Sequence, residues 1–389
     1  MAKSSPASPA ADATPATDAW AGRRVVLVHD WLTGMRGGEK VLASLCRLFP
    51  TADLLTLVHQ PGSVSPAIEA RRIRTSIIQR LPRATRLYRH YLPLFPIAIE
   101  LFDLDGADLI ISTSHCAAKA VVPTARALHI CYCHSPMRYA WDQFDAYFGR
   151  ERVGAVAHAA LRPVLAGLAR WDRRTADRVD RFVANSRFVA GRIARYYNRP
   201  ALVLNPPVDT AFFTPGPGEP GAHFLVVSAL VPYKRVDLAI DAAARLGVPL
   251  RIVGSGPDLA RLRARAGSTA QFLGTLDDAA LREEYRAARA VVLPGVEDFG
   301  IVPVEAMACG RPVVALDAGG AAETVVSGAT GLLVRGDTAE SFADALHSVQ
   351  LEDFDPVVIR RHAEAFSVDR FEAGFRRIVT DTLAEAAAC

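Results

Sequence analysis

Two glutamates eight residues apart, Glu297 and Glu305, give the first chemical hint in the sequence, within the stretch "GVEDFGIVPVEAMACG". A carboxylate only accepts hydrogen bonds and has two oxygens to accept with, so it suits the vicinal hydroxyls of ribose and hexoses. Gly300 lies between them and lets a ligand approach the backbone closely. Pro303 fits the first turn of a helix, whose start offers free N–H groups and partial positive charge to a phosphate. Ligands for a sugar, a phosphate and a ribose in one stretch describe a nucleotide sugar. An isolated pair has a plainer reading, with Glu297 and Asp298 complementing a helix dipole and Glu305 in solvent.

The pair is not isolated. "SALVPYKRVDLAIDAA" puts Lys234 and Arg235 between a strand-like run and a helical one, where two cations suit a diphosphate. "VGSGPDLARL" places Gly254 after another strand, but the third glycine and the ribose-binding acid of a dinucleotide fingerprint are missing. It supports a tight turn near a base or phosphate and no more. In the first half, "GMRGGEKV" sets Gly34, Gly37 and Gly38 before a helix, a cradle for phosphate or simply a flexible turn. His134 in "CYCHSPMRYAWD" and His115 in "STSHCAAK" both end strand-like runs and compete for one role near the ligand.

These residues need a scaffold, and the alternation of apolar runs with helical spacing supplies one. "RRVVLVHD", "ADLIISTS", "ALHICYCHS" and "RFVANS" read as strands, followed later by "HFLVVSAL", "PLRIVGSG", "QFLGT", "AVVLPG", "PVVALDAGG" and "GLLV". Strands alternating with helices imply parallel sheets covered on both faces, with ligands at the C-terminal strand ends. That rule directs attention to His29, Ser114, His115, His134 and Asn185. The expected architecture is α/β, two doubly wound Rossmann-like domains facing each other across a cleft. The boundaries read as a disordered tail at 1–22, a first domain at 23–204, a Pro/Gly-rich linker at 205–221, a second domain at 222–366 and a terminal helix at 367–389.

The 389 residues suit two domains, and the net charge of +4 hides an asymmetry. Residues 1–210 hold 28 Lys/Arg against 17 Asp/Glu, and the remainder holds 17 against 24. A basic first domain suggests an anionic partner. "RRIRTSIIQRLPRATRLYRHYLPLFPIAIE", Arg71–Glu100, carries seven arginines and no acid before Glu100, with Tyr88, Tyr91 and Phe95 among them. Such a segment can lie on an anionic bilayer surface or pack as a solvated basic helix. No apolar run is long enough to span a bilayer, and the N-terminus has no secretory h-region. Six cysteines without metal or C-x-x-C spacing point to the reducing cytoplasm, with Cys131 and Cys133 sharing one strand face.

"EDFGIVPVEAMACGRPVVA" resembles the E-x7-E signature of family 4 retaining glycosyltransferases with the GT-B fold. The resemblance extends to "LVPYKRVDLAI", "VGSGP", "VANSRFVAGRI" and "LNPPVDTAFFTP" and covers nearly everything from residue 23 onward. "VHDWLTGMRGGEKVL" and "CYCHSPMRYAWD" look like the mannosyltransferase-type branch that builds bacterial surface polysaccharides. The resemblance implies that Glu305 binds the nucleotide ribose and Glu297 the donor-sugar hydroxyls. It gives backbone N–H contacts to Phe299, Gly300 and Ile301, the diphosphate to Lys234, a place near the donor sugar to His134, and a phosphate-side loop to Gly37 and Gly38. The family arginine before the lysine is replaced by Ala229, with Arg235 as the compensating candidate. A terminal helix, around Asp369–Ala388, would return to the first domain.

The implied activity moves a hexose, best read as mannose from GDP-mannose, to a lipid-diphosphate-linked saccharide at the inner membrane face. No metal is needed in this scheme, because cations neutralise the leaving group. Two competing readings are a dinucleotide-dependent oxidoreductase, supported by "GSGPD", and a non-catalytic nucleotide-sugar-binding protein. No nucleic-acid-binding module is recognisable.

Overall fold

The computed structural model describes residues 18–351 and 354–388. Two parallel sheets organise the chain. The first contains β1 (Val25–His29), β2 (Asp53–Thr56), β3 (Ile73–Thr75), β4 (Leu109–Ser114), β5 (Leu128–Cys133), β6 (Arg181–Ala184) and β7 (Ala201–Val203), in the order β3-β2-β1-β4-β5-β6-β7. The second contains β8 (Phe224–Val227), β9 (Leu250–Val253), β10 (Ala270–Gly274), β11 (Ala290–Leu293), β12 (Val313–Leu316) and β13 (Gly331–Val334), in the order β10-β9-β8-β11-β12-β13. All strand pairs are parallel. Every residue of β1, β4 and β11 is buried, which is why none of them alternates apolar with polar residues: β11 is a continuous apolar run, β1 is apolar up to its terminal His29, and β4 opens with Leu109–Ile111 before a buried Ser/Thr end. In each sheet the order reverses beside the first strand, between β1 and β4 and between β8 and β11. Loops leaving those four strands therefore diverge and open a crevice.

The helix Val368–Ala388 crosses back to the first domain. Phe371, Phe375, Val379 and Leu383, spaced by fours, form one stripe in the core that also holds Leu42, Leu45 and Phe49. Glu372 pairs with Arg47 at 2.7 Å on the same seam. The two chain crossings run side by side, with the Val208 N–H donating to the Phe366 carbonyl at 2.9 Å. Within the Pro/Gly-rich stretch, Phe213 is buried and meets Tyr285 edge-on at 5.8 Å.

Three details differ from the sequence reading. The expected disordered tail, 1–22, falls largely outside the described residues, but its end is structured. Trp20 is buried against Phe49 with ring centroids 4.8 Å apart, and Arg376 pairs with Asp18 and lies over the Trp20 ring. The basic segment Arg71–Glu100 is not one helix. It begins as edge strand β3 and continues as short helical turns, because Pro82, Pro93 and Pro96 interrupt any longer ladder. β2 and β7 were also unread, being short. Cys131 and Cys133 do share a buried cluster, and Cys389 lies outside the described residues.

Candidate active site

The crevice is built from strand ends of both sheets. From the second domain, β8 leads through Pro232–Lys234 into the helix Val236–Leu246, and β11 leads through Glu297 into the helix Ile301–Ala308. Glycine lets these two loops touch. A Cβ on Gly295 would sit 2.7 Å from Lys234 Cα and 2.7 Å from the Tyr233 carbonyl. This approach brings Lys234 Nζ onto Glu297 Oε1 as an ion pair. Gly300, at φ +81°, precedes the helix, and among the described residues no acceptor takes the Gly300 or Ile301 backbone N–H. Those donors point from a helix start, where negative charge is favoured. Phe299 contributes backbone alone, since its ring is buried against Phe366.

The first domain faces this from across the crevice. A Cβ on Gly37 would lie 3.7 Å from Ile301 Cδ1, and one on Gly38 would lie 3.4 Å from His134 Nε2. The glycine turn, the histidine and the second-domain helix start therefore meet at one place. His134 Nε2 has no hydrogen-bond partner. Loss of water around the ring, then the neighbouring His115 and His29, push the His134 imidazole down to about 3. At neutral pH it is an uncharged ring that can orient a hydroxyl but holds no spare proton.

His115 lies on the same rim, 6.3 Å from His134 between ring centroids, but it is committed elsewhere. Its Nδ1 is 3.0 Å from Asp30, and its ring meets Trp31 edge-on. Asp30 leaves β1 and accepts four backbone N–H groups at 2.6–3.0 Å, from His115, Cys116, Ala117 and Ala118. Burial alone would raise the Asp30 carboxyl, but His115 and these donors hold it well below the usual carboxylate range. The carboxylate thus fills the backbone nest after β4. His29 is buried, with Nδ1 2.6 Å from Thr113 Oγ1. Asn185 donates to the His134 carbonyl at 3.0 Å, and the Ser114 carbonyl accepts from the His134 N–H at 2.8 Å.

Glu305 is not open to solvent. It is buried, with Oε1 2.7 Å from Lys40 Nζ and Oε2 accepting from the Tyr285 hydroxyl at 2.9 Å. Lys40 belongs to the first-domain helix Gly37–Leu48, so this pair spans the two domains. Burial opposes the Lys40 charge, but Glu305 overcomes it and raises the lysine above its ordinary value. Burial and the adjacent Glu305 also push the Tyr285 phenol well upward.

Two of the expected residues are engaged within their own domain. Arg235, the compensating cation, turns away: it sits at φ +50° and faces Asp237 at 3.6 Å and Asp337 at 3.5 Å. The second cation beside the site is Arg138, from the loop after β5, which pairs with Asp298 and lies 5.7 Å from the Tyr233 ring centroid. Gly254, expected at the ligand, also has a packing reason. At φ +136° its Cβ would strike the Ser228 carbonyl at 1.9 Å, and its N–H is donated to Gly274. The sequence motifs gave Lys40 and Arg138 no role of their own, although both lie inside stretches singled out above, "GMRGGEKV" and "CYCHSPMRYAWD". Further interdomain contacts close the crevice: Ser186 donates to the Asp298 carbonyl, and Glu323 accepts from the Arg187 and Phe188 N–H groups at 2.8 and 2.7 Å.

Comparison with known proteins agrees with this geometry. Residues 35–212 match the family model described as Glycosyltransferase Family 4, and residues 208–364 match Glycosyl transferases group 1. The chain is similar to a D-inositol 3-phosphate glycosyltransferase of Mycolicibacterium smegmatis, at 34% identity over 59% of this chain and 61% of that one. It is also similar to a protein of the same name from Geodermatophilus obscurus, at 35% identity over 49% and 50%. The chain thus spans about half the length of the curated relatives it matches. Among solved structures, Anabaena HepE in complex with UDP and glucose superposes with a TM-score of 0.68 at 18% identity, covering 92% of this chain and all of that one. Sucrose-phosphate synthase from Thermosynechococcus elongatus gives 0.66 at 18%, covering 93% and all.

Proposed function

We propose, from the matches of residues 35–212 to Glycosyltransferase Family 4 and of residues 208–364 to Glycosyl transferases group 1, that the chain is a family 4 glycosyltransferase that moves a hexose from a nucleoside diphosphate sugar to a saccharide acceptor, retaining the anomeric configuration. The observation that carries this reading is the meeting of the Lys234–Glu297 pair and the helix start at Ile301 with Gly37, Gly38 and His134 of the other domain.

In the reaction the bond between the anomeric carbon and the diphosphate breaks, and a bond to the acceptor oxygen forms on the same face. Lys234 and the free N–H groups at Gly300 and Ile301 stabilise the charge that develops on the diphosphate. Glu297 takes donor-sugar hydroxyls and keeps Lys234 in place. Glu305, held by Lys40 and Tyr285, has remaining lone pairs for the ribose. The departing phosphate oxygen accepts the acceptor's proton, so no protein base is needed and neutral His134 orients a hydroxyl. Interdomain closure excludes water and limits hydrolysis. Cationic stabilisation makes the scheme independent of a divalent ion.

Mannose and a guanine nucleotide rest on the branch resemblance of "VHDWLTGMRGGEKVL" and "CYCHSPMRYAWD". A lipid-diphosphate-linked acceptor and peripheral contact with an anionic membrane rest on the basic first domain. There Ile77, Leu94, Ile97 and Leu101 are exposed beside exposed Arg80, Arg83, Arg86 and Arg89. Among the described residues no helix is long and apolar enough to cross a membrane.

Calorimetry with GDP-mannose, UDP-glucose and UDP-GlcNAc tests the donor assignment. One donor is expected to bind to the wild type and to lose binding with Lys234→Ala or Glu305→Ala; unchanged binding in both variants overturns the site. Neutralising Arg83, Arg86 and Arg89 is expected to reduce sedimentation with phosphatidylserine liposomes, and equal sedimentation removes the membrane reading.

A further inference from the structure

Beside the Lys234–Glu297 pair lies a cavity of about 430 Å³ that the donor reading leaves unused. The first domain lines it with Trp141, Asp142, Gln143, Phe144 and Asp145, and the second closes it with Tyr233 and Val296. Its volume falls within the roughly 300–1,000 Å³ typical of small-molecule sites. Tyr233 and Val296 immediately precede Lys234 and Glu297, so an occupant would lie next to the transferred sugar.

The walls are held in place. Trp141 stacks on Tyr196 with centroids 4.7 Å apart, and its Nε1 donates to Asp172 at 2.8 Å. Asp172 is itself buried and paired with Lys119 at 2.9 Å. Tyr233 stacks on Tyr147 at 5.9 Å. Three aromatic rings, Trp141, Phe144 and Tyr233, thus stand in the wall together with three acceptor-bearing side chains. Gln143 Oε1 is buried without a hydrogen-bond partner, so an acceptor remains unused. Aromatic faces with hydroxyl acceptors at their edges match a sugar ring, whose C–H faces are apolar and whose rim donates hydrogen bonds.

Charge narrows the choice. The lining contains two carboxylates and no cationic side chain. Of the nearby guanidinium groups, Arg192 is committed to Asp142 and Arg138 to Asp298, while Arg162 lies outside the lining, 5.5 Å from the Phe144 ring centroid. With Asp142 paired to Arg192, a phosphate in this cavity would face the open Asp145 carboxylate and no cationic side chain of the lining.

Resting on the glycosyltransferase reading above, we infer that this cavity is the acceptor subsite and that it receives an uncharged saccharide ring rather than a phosphorylated one. This sets the chain apart from the relatives named for inositol 3-phosphate.

The test uses the full chain saturated with GDP or UDP, whichever binds by calorimetry. Saturation-transfer NMR then follows methyl α-D-mannopyranoside, methyl α-D-glucopyranoside and myo-inositol 1-phosphate. The wild type is expected to bind one of the neutral glycosides in preference to the phosphate ester. Phe144→Ala and Gln143→Ala, both at partly exposed positions, are each expected to weaken that binding about tenfold. Nucleotide affinity should stay within about twofold in both, which a general loss of structure would not allow. Preference for the inositol phosphate, no signal from either glycoside, or unchanged glycoside binding in both variants overturns the subsite alone. A wild type that binds neither nucleotide overturns the glycosyltransferase reading and the subsite with it.

Discussion

Replacing Lys40 with methionine removes a charge from a site where a buried carboxylate depends on it. Lys40 Nζ is 2.7 Å from Glu305 Oε1, and the two side chains are 25% and 3% exposed. At an effective dielectric of about 20, that separation corresponds to an attraction of about 6 kcal/mol. Not all of it is lost. Water can enter on the more exposed lysine side, and the Tyr285 hydroxyl still donates to Oε2. Breaking one half of a buried pair typically costs about 3–5 kcal/mol, and the lower end applies here. Lys40→Met is therefore expected to destabilise the protein by about 3 kcal/mol at pH 7. The raised Lys40 pKa contributes stability that is complete below the ordinary 10.5 and is lost only as pH rises through the higher folded value, so the pair is fully formed at pH 7. A double-mutant cycle with Glu305→Gln, read by urea unfolding, isolates the interaction. Because the partners lie in different domains, the coupling energy reports interdomain attachment directly, and about 2 kcal/mol is expected. A coupling energy below about 0.5 kcal/mol would refute the argument, since that is the range of exposed pairs.

The Lys234–Glu297 contact predicts that Lys234→Ala lowers kcat by about a hundred- to a thousandfold, as loss of a charge-stabilising donor does, while the helix content by circular dichroism stays unchanged. A change smaller than tenfold would remove Lys234 from the leaving-group role. Full activity is expected after EDTA dialysis, and restoration by Mg²⁺ of an activity lost on dialysis would falsify the metal-free scheme. Burial pushes His129 from 6.5 down to about 4. Between those values the unfolded chain binds a proton that the folded one does not, so stability falls as pH drops through the window. About 2 kcal/mol is lost from pH 7 to pH 5 on this account. His129→Gln is expected to remove that share of the pH dependence in paired urea titrations at the two pH values, and an unchanged slope contradicts it.

Much of the fold was written locally. Fully buried strands such as β1 and β11 are apolar almost throughout, and the glycines and prolines between runs mark where the chain turns. Glu297, Lys234 and the glycine turn were legible for the same reason. Each sits at a strand end, and the wrapping of parallel strands sends all strand ends to one edge. The short edge strand β3 was hidden by the arginines around it, because an edge strand needs no apolar run.

The sequence alone determined that this chain forms two parallel α/β domains and which loops stand at the strand ends, since strand pattern and turn chemistry act over a few residues. Tertiary structure decided which of those groups meet. Lys40 reaches Glu305 across 265 residues, and Arg138 reaches Asp298 across 160. Arg235, adjacent to Lys234, turns to acids of its own domain. No spacing rule distinguishes these outcomes. A side chain's partner depends on how two separately folded sheets dock and on what charge is left uncompensated when the crevice between them loses its water.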